Sequence, residues 1–237
     1  MYFQKLLNTF RFYKEFLKIK NLNNKHKRFE IVNKFPIIGE NTDKTFFDKH
    51  YIYHIAWAAR KLREVQPQKH IDISSSLYFS SIVSAFINTE FYDYRPPEIL
   101  LDNLKVSRCD LTNLHFSSNS IFSLSCMHVV EHIGLGRYGD PINYDGDLLA
   151  INELKRVLKK GGYLLFVVPI GKKNIIYFNA HRIYTFNQIK DYFSDLELLE
   201  FTFITSKFDN TGLIKNPSND ILDNENYGCG CFLFKKP

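Results

Sequence analysis

From about residue 50 onward the apolar positions alternate between two rhythms. Residues 50–64 repeat at helical spacing, with Ile52, Ile55, Ala56, Ala59 and Leu62 on one side, and Pro67 ends the pattern. Residues 70–73 form a short apolar step that contains Asp72. It runs into Ser74, Ser75 and Ser76, which stand where a helix over 77–87 needs its cap. Residues 90–94 predict a strand closed by Pro96 and Pro97, and 104–109 and 120–127 predict two more. Residues 147–159 predict a helix with Leu148, Leu149, Ile151, Leu154, Val157 and Leu158 turned inward and Gly161–Gly162 as its stop. The run YLLFVVP, 163–169, is apolar on both faces, as in the middle of a parallel sheet. Residues 186–193 predict a helix. Residues 197–206 and 228–234 predict closing strands, the last antiparallel at the sheet edge. Strands separated by helices of about 10–15 residues predict a doubly wound α/β fold with a mostly parallel sheet. In such sheets ligands bind beyond the carboxyl ends of the strands, where the strand order reverses.

Composition adds three constraints. The chain has 237 residues, 45% apolar and 24% charged, a globular balance. No uncharged apolar run reaches the ~18 residues of a spanning helix. The start, MYFQKLLNTFRFYKEF, is broken by Lys5, Arg11, Lys14 and Glu15, unlike the continuous apolar core of a signal peptide. Four cysteines are too few for a disulfide framework, so a reduced cytoplasmic protein is expected. The charge is uneven: residues 1–28 hold eight Lys and Arg against Glu15, so the overall +6 leaves the remainder near neutral. A nucleic-acid partner is therefore not expected for the body. Within 1–28, Phe3, Leu6, Leu7, Phe10, Phe12, Tyr13, Phe16, Leu17 and Ile19 approximate helical spacing. The expected organisation is a basic amphipathic helical extension, 1–28, ahead of an α/β domain, 29–237. Such a helix packs on the body, docks a partner, or makes a peripheral contact with the inner, anionic face of a membrane.

The candidate chemistry sits just after each strand. Asp93 follows the second strand, where a carboxylate can accept both hydroxyls of a ribose. The run SCMHVVEHI, 125–133, formally matches the inverted zinc-peptidase pattern H-x-x-E-H. It lies at a strand-to-helix turn and marks no third ligand, so no metal is assigned. GLGRYGDP, 134–141, is a three-glycine loop carrying Arg137, Tyr138 and Asp140. FNAHRIY, 178–184, places Asn179, His181 and Arg182 after the central strand. His181 can serve as a base at neutral pH, and Arg182 can hold a phosphate or carboxylate.

Taken together, residues 110–133 and 154–169 resemble class I S-adenosylmethionine-dependent methyltransferases, and the order and spacing extend over about 68–206. The runs WAAR at 57–60, DYRP at 93–96, GLGRYGDP at 134–141, DGD at 145–147 and FNAHR at 178–182 resemble, more narrowly, an uncharacterised methyltransferase-like family. Members of that family are found near surface-polysaccharide genes. The resemblance implies a seven-stranded, Rossmann-like sheet and S-adenosylmethionine as cofactor. It places Asp72, Ser74 and Ser76 at the methionine side, Asp93 at the ribose, Asp110 and Leu111 at the adenine, and Cys126 to His128 where cofactor and acceptor meet. Both glycine positions of the family's D-x-G-x-G turn are serines here.

The implied reaction is methyl transfer to a small polar acceptor, such as the hydroxyl of a sugar or nucleotide-sugar in surface-glycan synthesis. His128 or His181 would act as base with Asp140 behind, and Arg137, Tyr138, Asn179 and Arg182 would hold the substrate. The competing reading is a non-catalytic binding or scaffold protein with a degenerate cofactor turn. A nicotinamide enzyme is disfavoured, because no G-x-G-x-x-G follows a strand.

Overall fold

The computed structural model describes residues 2–31, 34–207 and 211–237. Met1 and the side chain of Phe3, at the start of the expected extension, lie outside the described residues. The chain divides into two compact units, Met1–Phe47 and Asp48–Pro237, a boundary later than the one expected after residue 28. The first unit carries α1 (Tyr2–His26), in which Arg11 pairs with Glu15 at 2.9 Å and Phe12 stacks on Phe16. No helix among the described residues is long and apolar enough to cross a membrane.

The second unit begins with α2 (Lys49–Val65), β1 (Lys69–Ile73), α3 (Leu77–Val83), β2 (Asn88–Asp93), β3 (Leu104–Arg108) and β4 (Ile121–Met127). It continues through α4 (Gly146–Val157), β5 (Leu158–Ile170), β6 (Ile175–Tyr177), β7 (His181–Ile183) and α5 (Phe186–Tyr192). It closes with β8 (Glu197–Ile204), β9 (Ile214–Lys215), α6 (Asn219–Asp223) and β10 (Gly228–Lys235). Among the described residues, eight strands make one sheet in the order β3-β2-β1-β4-β5-β10-β8-β9, and β6 and β7 form a separate antiparallel ribbon. The expected seven strands become eight because β9 adds to the edge beside β8.

Strands β1 to β5 pair in parallel, whereas β10 runs antiparallel to both neighbours, β5 and β8. The expectation that the last strand lies at the edge is corrected. It lies between β5 and β8, hydrogen-bonded to both, and its side chains are buried on both faces. Gly161 and Gly162 do not stop a helix as expected. Their backbone is taken up by the chain end: Gly161 N–H donates to Lys236 O at 2.8 Å and Lys236 N–H to Gly162 O at 3.0 Å.

Side chains along β5 alternate between two apolar layers. Leu164, Phe166, Val168 and Ile170 face a cluster with Ile151 and Leu154 of α4 and Ile189 of α5. Leu165 and Val167 face the opposite cluster, with Trp57 and Leu62 of α2 and Phe79 and Val83 of α3. The sheet is therefore covered on both sides. Leu149, expected to point inward on α4, is exposed.

Helix α2 turns an unexpected face inward. Ile52 is exposed, and the buried residues are Lys49, His50, His54, Trp57, Ala58, Lys61 and Leu62. Trp57 offers the largest apolar surface on the helix, and burying it carries its polar neighbours along. Glu200 on β8 receives them: Trp57 Nε1 donates to it at 2.9 Å, and Lys61 Nζ donates at 2.9 Å to Glu200 and at 2.8 Å to Glu64. Burial alone would raise the Glu200 carboxyl, but its bonds from Lys61, Trp57, Lys215 and Thr202 hold it down to about 2. Because that value lies below the unfolded one, the stabilisation is complete above pH ~4.5 and is lost as pH falls toward ~2. Glu200→Gln is expected to cost about 1.5–3 kcal/mol in urea unfolding at pH 7, the worth of hydrogen bonds to a charged group. The difference from the native protein should narrow through that acid window.

Candidate functional site at the carboxyl edge of the sheet

Strand order reverses between β1 and β4, and the turn after β1 opens there. Ser74 adopts φ +55°, the left-handed conformation that glycine takes without steric cost. Its N–H donates to Tyr92 O at 2.7 Å and its hydroxyl to the same carbonyl at 3.1 Å, so β2 holds the turn in this shape. Ser75 Oγ accepts from Met127 N–H at 3.0 Å and ties the turn to the end of β4. Ser76 is the N-cap of α3, without the side-chain capping bond expected of it.

Asp72 does not line an open site. It is wholly buried, with one oxygen accepting from Ser125 Oγ at 2.6 Å and the other from Ser80 Oγ. Burial pushes its carboxyl up to about 6 against those hydroxyls. Ser125 in turn touches His70 Nε2 at 2.9 Å, and His70 Nδ1 meets Ser123 Oγ at 2.8 Å, so the network satisfies itself inside the sheet.

A cavity of about 140 Å³ lies beyond β1 to β4, lined by Ser74, Asp110, Leu111, Val129, Tyr138 and Asp140, among others. Asp110 accepts from Thr112 N–H at 2.8 Å and from its hydroxyl at 2.7 Å. Asp93, which accepts from Arg95 N–H at 2.7 Å, immediately precedes Tyr94 on the cavity wall. Cys126 is buried in the sheet core and lies outside that lining.

The glycine loop 134–141 closes one side. Asp140 accepts from Gly134 N–H at 2.7 Å, Tyr138 N–H at 3.1 Å and Gly136 N–H at 3.3 Å. Burial works to raise its carboxyl, and these backbone donors outweigh that and lower it. Asp140 therefore organises the loop rather than supporting a base. Gly134, at φ +79°, is required: a Cβ there would fall 2.1 Å from Asn143 O.

Arg182, expected to hold substrate, is buried. It donates to Ile133 O at 2.7 Å and Tyr144 O at 2.9 Å, with Nε 3.6 Å from Asp147. It pins the loop to the ribbon. Arg137 is exposed, donates to Ala180 O at 3.0 Å and lies over Tyr138. Asn179 is exposed between β6 and β7. His181 is half-buried on β7, and desolvation, with His132 and Arg137 nearby, lowers it below its ordinary value, so the ring is neutral. Its ring centroid lies 6.4 Å from that of His132, which is 5.7 Å from that of Tyr138 on the cavity wall.

His128 ends β4 at φ +57° and turns inward, with its side chain only 7% exposed. Nδ1 lies 2.9 Å from Glu131 Oε1, and Nε2 lies 3.4 Å from Cys229 Sγ on β10. With both ring nitrogens engaged, His128 is not open to an acceptor, which corrects its expected role as base. Burial opposes charge on it, and Cys229 and Glu131 outweigh this and raise it. His54 of α2 lies edge-on to it at 5.0 Å between centroids and is pushed down to about 3 by burial and by His128. The continuous helix that would align His128 with His132 is absent: a short 3₁₀ turn spans Val130–His132, and His132 Nδ1 instead bonds Ala180 O at 2.6 Å. Sequence reading passed over His54 and Cys229. The available signals were the i, i+4 pair His50 and His54 and the Gly-Cys-Gly-Cys run at 228–231.

Comparison with known proteins gives a family and a fold. A family model described as "Caenorhabditis protein of unknown function, DUF268" matches residues 101–220. The chain belongs to the DUF268 family. No curated protein matches its sequence. This DUF268 chain is similar in structure to a protein from Galdieria sulphuraria named as a sarcosine dimethylglycine methyltransferase, with TM-score 0.55 and 13% identity. That likeness covers 78% of this chain and 86% of the other. It is also similar to the YcgJ protein from Bacillus subtilis, TM-score 0.53 and 11% identity over 78% and 99% of the two chains. MccD gives TM-score 0.53 and 15% identity over 78% and 96%. The likenesses show the fold of this DUF268 chain to be the Rossmann-like methyltransferase fold.

Two outcomes are expected. Ser74→Gly should stabilise the chain by about 1 kcal/mol in urea unfolding by relieving the left-handed residue. Arg182→Met should cost about 3–5 kcal/mol, because it leaves two carbonyls without their donor and the buried Asp147 without its cation, with the Tyr184 hydroxyl still donating to it.

Proposed function

We propose that this DUF268 chain binds S-adenosylmethionine beyond β1 to β4 and transfers its methyl group to a small polar acceptor. The observation that carries this reading is the cavity at the reversal of strand order, with Ser74 held there in a glycine-like conformation. The nucleoside half of the cofactor fits the residues present. Leu111 and Val129 supply apolar wall, and Asp110 and the neighbouring Asp93 supply carboxylates for adenine and ribose donors. At about 140 Å³ the cavity is below the ~300–1,000 Å³ of small-molecule sites, so Tyr138 and Pro141 of the loop must give way to a whole cofactor.

The cofactor brings an already electrophilic methyl group, so the protein has mainly to align an acceptor oxygen with it. His181, neutral and half-buried, is the base that remains after His128 is found enclosed. A sugar or nucleotide-sugar hydroxyl is the acceptor we favour. Exposed Arg137 is the cation left to meet a phosphate once Arg182 is assigned to the loop.

A specific observation favours a second reading, a non-catalytic binding protein on the same fold. The methionine side is closed by the Ser75–Met127 bond, and the Asp72 carboxylate is fully occupied. Titration calorimetry of the full chain separates the two. Saturable heat from one site with S-adenosylmethionine, weakened roughly tenfold by Asp110→Ala, is expected from loss of a hydrogen bond to a charged group. Absence of heat at millimolar ligand would remove methyl transfer and leave the binding protein.

A further inference from the structure

We infer that His54, His128 and Cys229 form a binding site for a borderline-soft divalent cation, zinc above all. The three side chains come from α2, the end of β4 and β10, and one donor atom of each lies within 4.8 Å of the others. A tetrahedral ion with bonds of about 2.0–2.3 Å sets its nitrogen and sulfur ligands about 3.3–3.8 Å apart. The His128 Nε2–Cys229 Sγ separation of 3.4 Å already matches, so His54 has only a short distance to close.

The outer contacts fix the ring nitrogens in the required state. His54 Nδ1 donates to His50 O at 2.7 Å and His128 Nδ1 to Glu131 Oε1 at 2.9 Å. When neutral, each ring is thereby held in the tautomer whose Nε2 carries a lone pair, the arrangement that backbone carbonyls and carboxylates impose on metal-binding histidines. His54 is fully buried, and its Nε2 has no hydrogen-bond partner among the described residues. A buried polar atom without a partner is costly, and a metal ion would satisfy it. Binding replaces the Cys229 thiol proton, which leaves to solvent, with a metal–sulfur bond. His54 contributes a lone pair and loses nothing, whereas His128, which its neighbours favour in the protonated form, gives up its Nε2 proton to solvent before it ligates.

One nitrogen–sulfur set of three protein ligands leaves a fourth position open. Half-exposed Tyr51 stacks on His128 at 5.6 Å and lies edge-on to His54 at 5.3 Å between ring centroids. The glycines beside Cys229 let the sheet close around it. A Cβ at Gly228 would meet the Phe203 ring at 2.2 Å, so only glycine lets β10 lie flat on β8 there. The inference does not depend on cofactor binding beyond β1 to β4.

The test is loading of the full chain, stripped by chelator, with Zn²⁺ and separately with Co²⁺. One equivalent of zinc per chain is expected, together with a cobalt spectrum showing a thiolate charge-transfer band. Cys229→Ser should abolish the band, His132→Gln should leave it unchanged, and Glu131→Gln should weaken zinc affinity roughly 10–100-fold through the outer contact. Because all four cysteines are buried in the fold, alkylation of the wild-type chain is run in urea sufficient to expose them without metal; peptide mapping should then show Cys229 protected only when zinc is present, which keeps the test decisive if a variant does not fold. The inference is overturned if the folded native chain takes up well under one equivalent, or if the band survives in Cys229→Ser. It is also overturned if a different cysteine is the one protected, or if His132→Gln abolishes binding.

Discussion

The centre of this sheet is dry on both faces, and every polar group that enters it must bring or find a partner. That constraint explains most of the arrangement at the carboxyl edge. Strands β4, β5 and β10 are apolar nearly throughout, so Asp72, His70, His128, Glu131, Arg182 and Glu200 are set among them at close quarters. Most of their polar atoms are drawn into local networks, while among the described residues Glu131 Oε2 and His54 Nε2 stay buried without a partner.

The networks partition the residues between holding and acting. Asp72, Asp140 and Arg182 are types associated with chemistry, yet each is saturated by serines, backbone N–H groups or backbone carbonyls. They shape the turn after β1 and the loop over the cavity. Asp110 and Arg137 are exposed and His181 is half-buried, so water reaches all three. The difference is one of burial and available partners.

At His128 the same constraint has a different outcome. Its left-handed backbone turns the imidazole away from the cavity and toward α2 and β10, where His54 and Cys229 wait with unsatisfied or weakly satisfied atoms. The fold thus presents, at one strand end, a cavity on one side and a nitrogen–sulfur cluster on the other. The two share β4 as their frame and do not compete for the same side chains.

Much of this was legible in the residue pattern. The alternation of strand and helix rhythms and the two-faced apolar run of β5 came from local periodicity, which the chain cannot hide because burial imposes it, and the serine-for-glycine turn came from the family resemblance. The α/β class and the carboxyl edge as the place for a site followed. What the tertiary structure alone decided were the contacts between segments far apart in sequence. Trp57 rotated α2 so that histidines rather than Ile52 face the sheet, and β10 was inserted between β5 and β8 instead of closing the edge. Arg182 was taken from the solvent side to the loop carbonyls, and His128 was paired with Cys229 across 101 residues of chain. Spacing in sequence reports which residues share a face of one element. Which faces meet depends on the packing of all the elements at once.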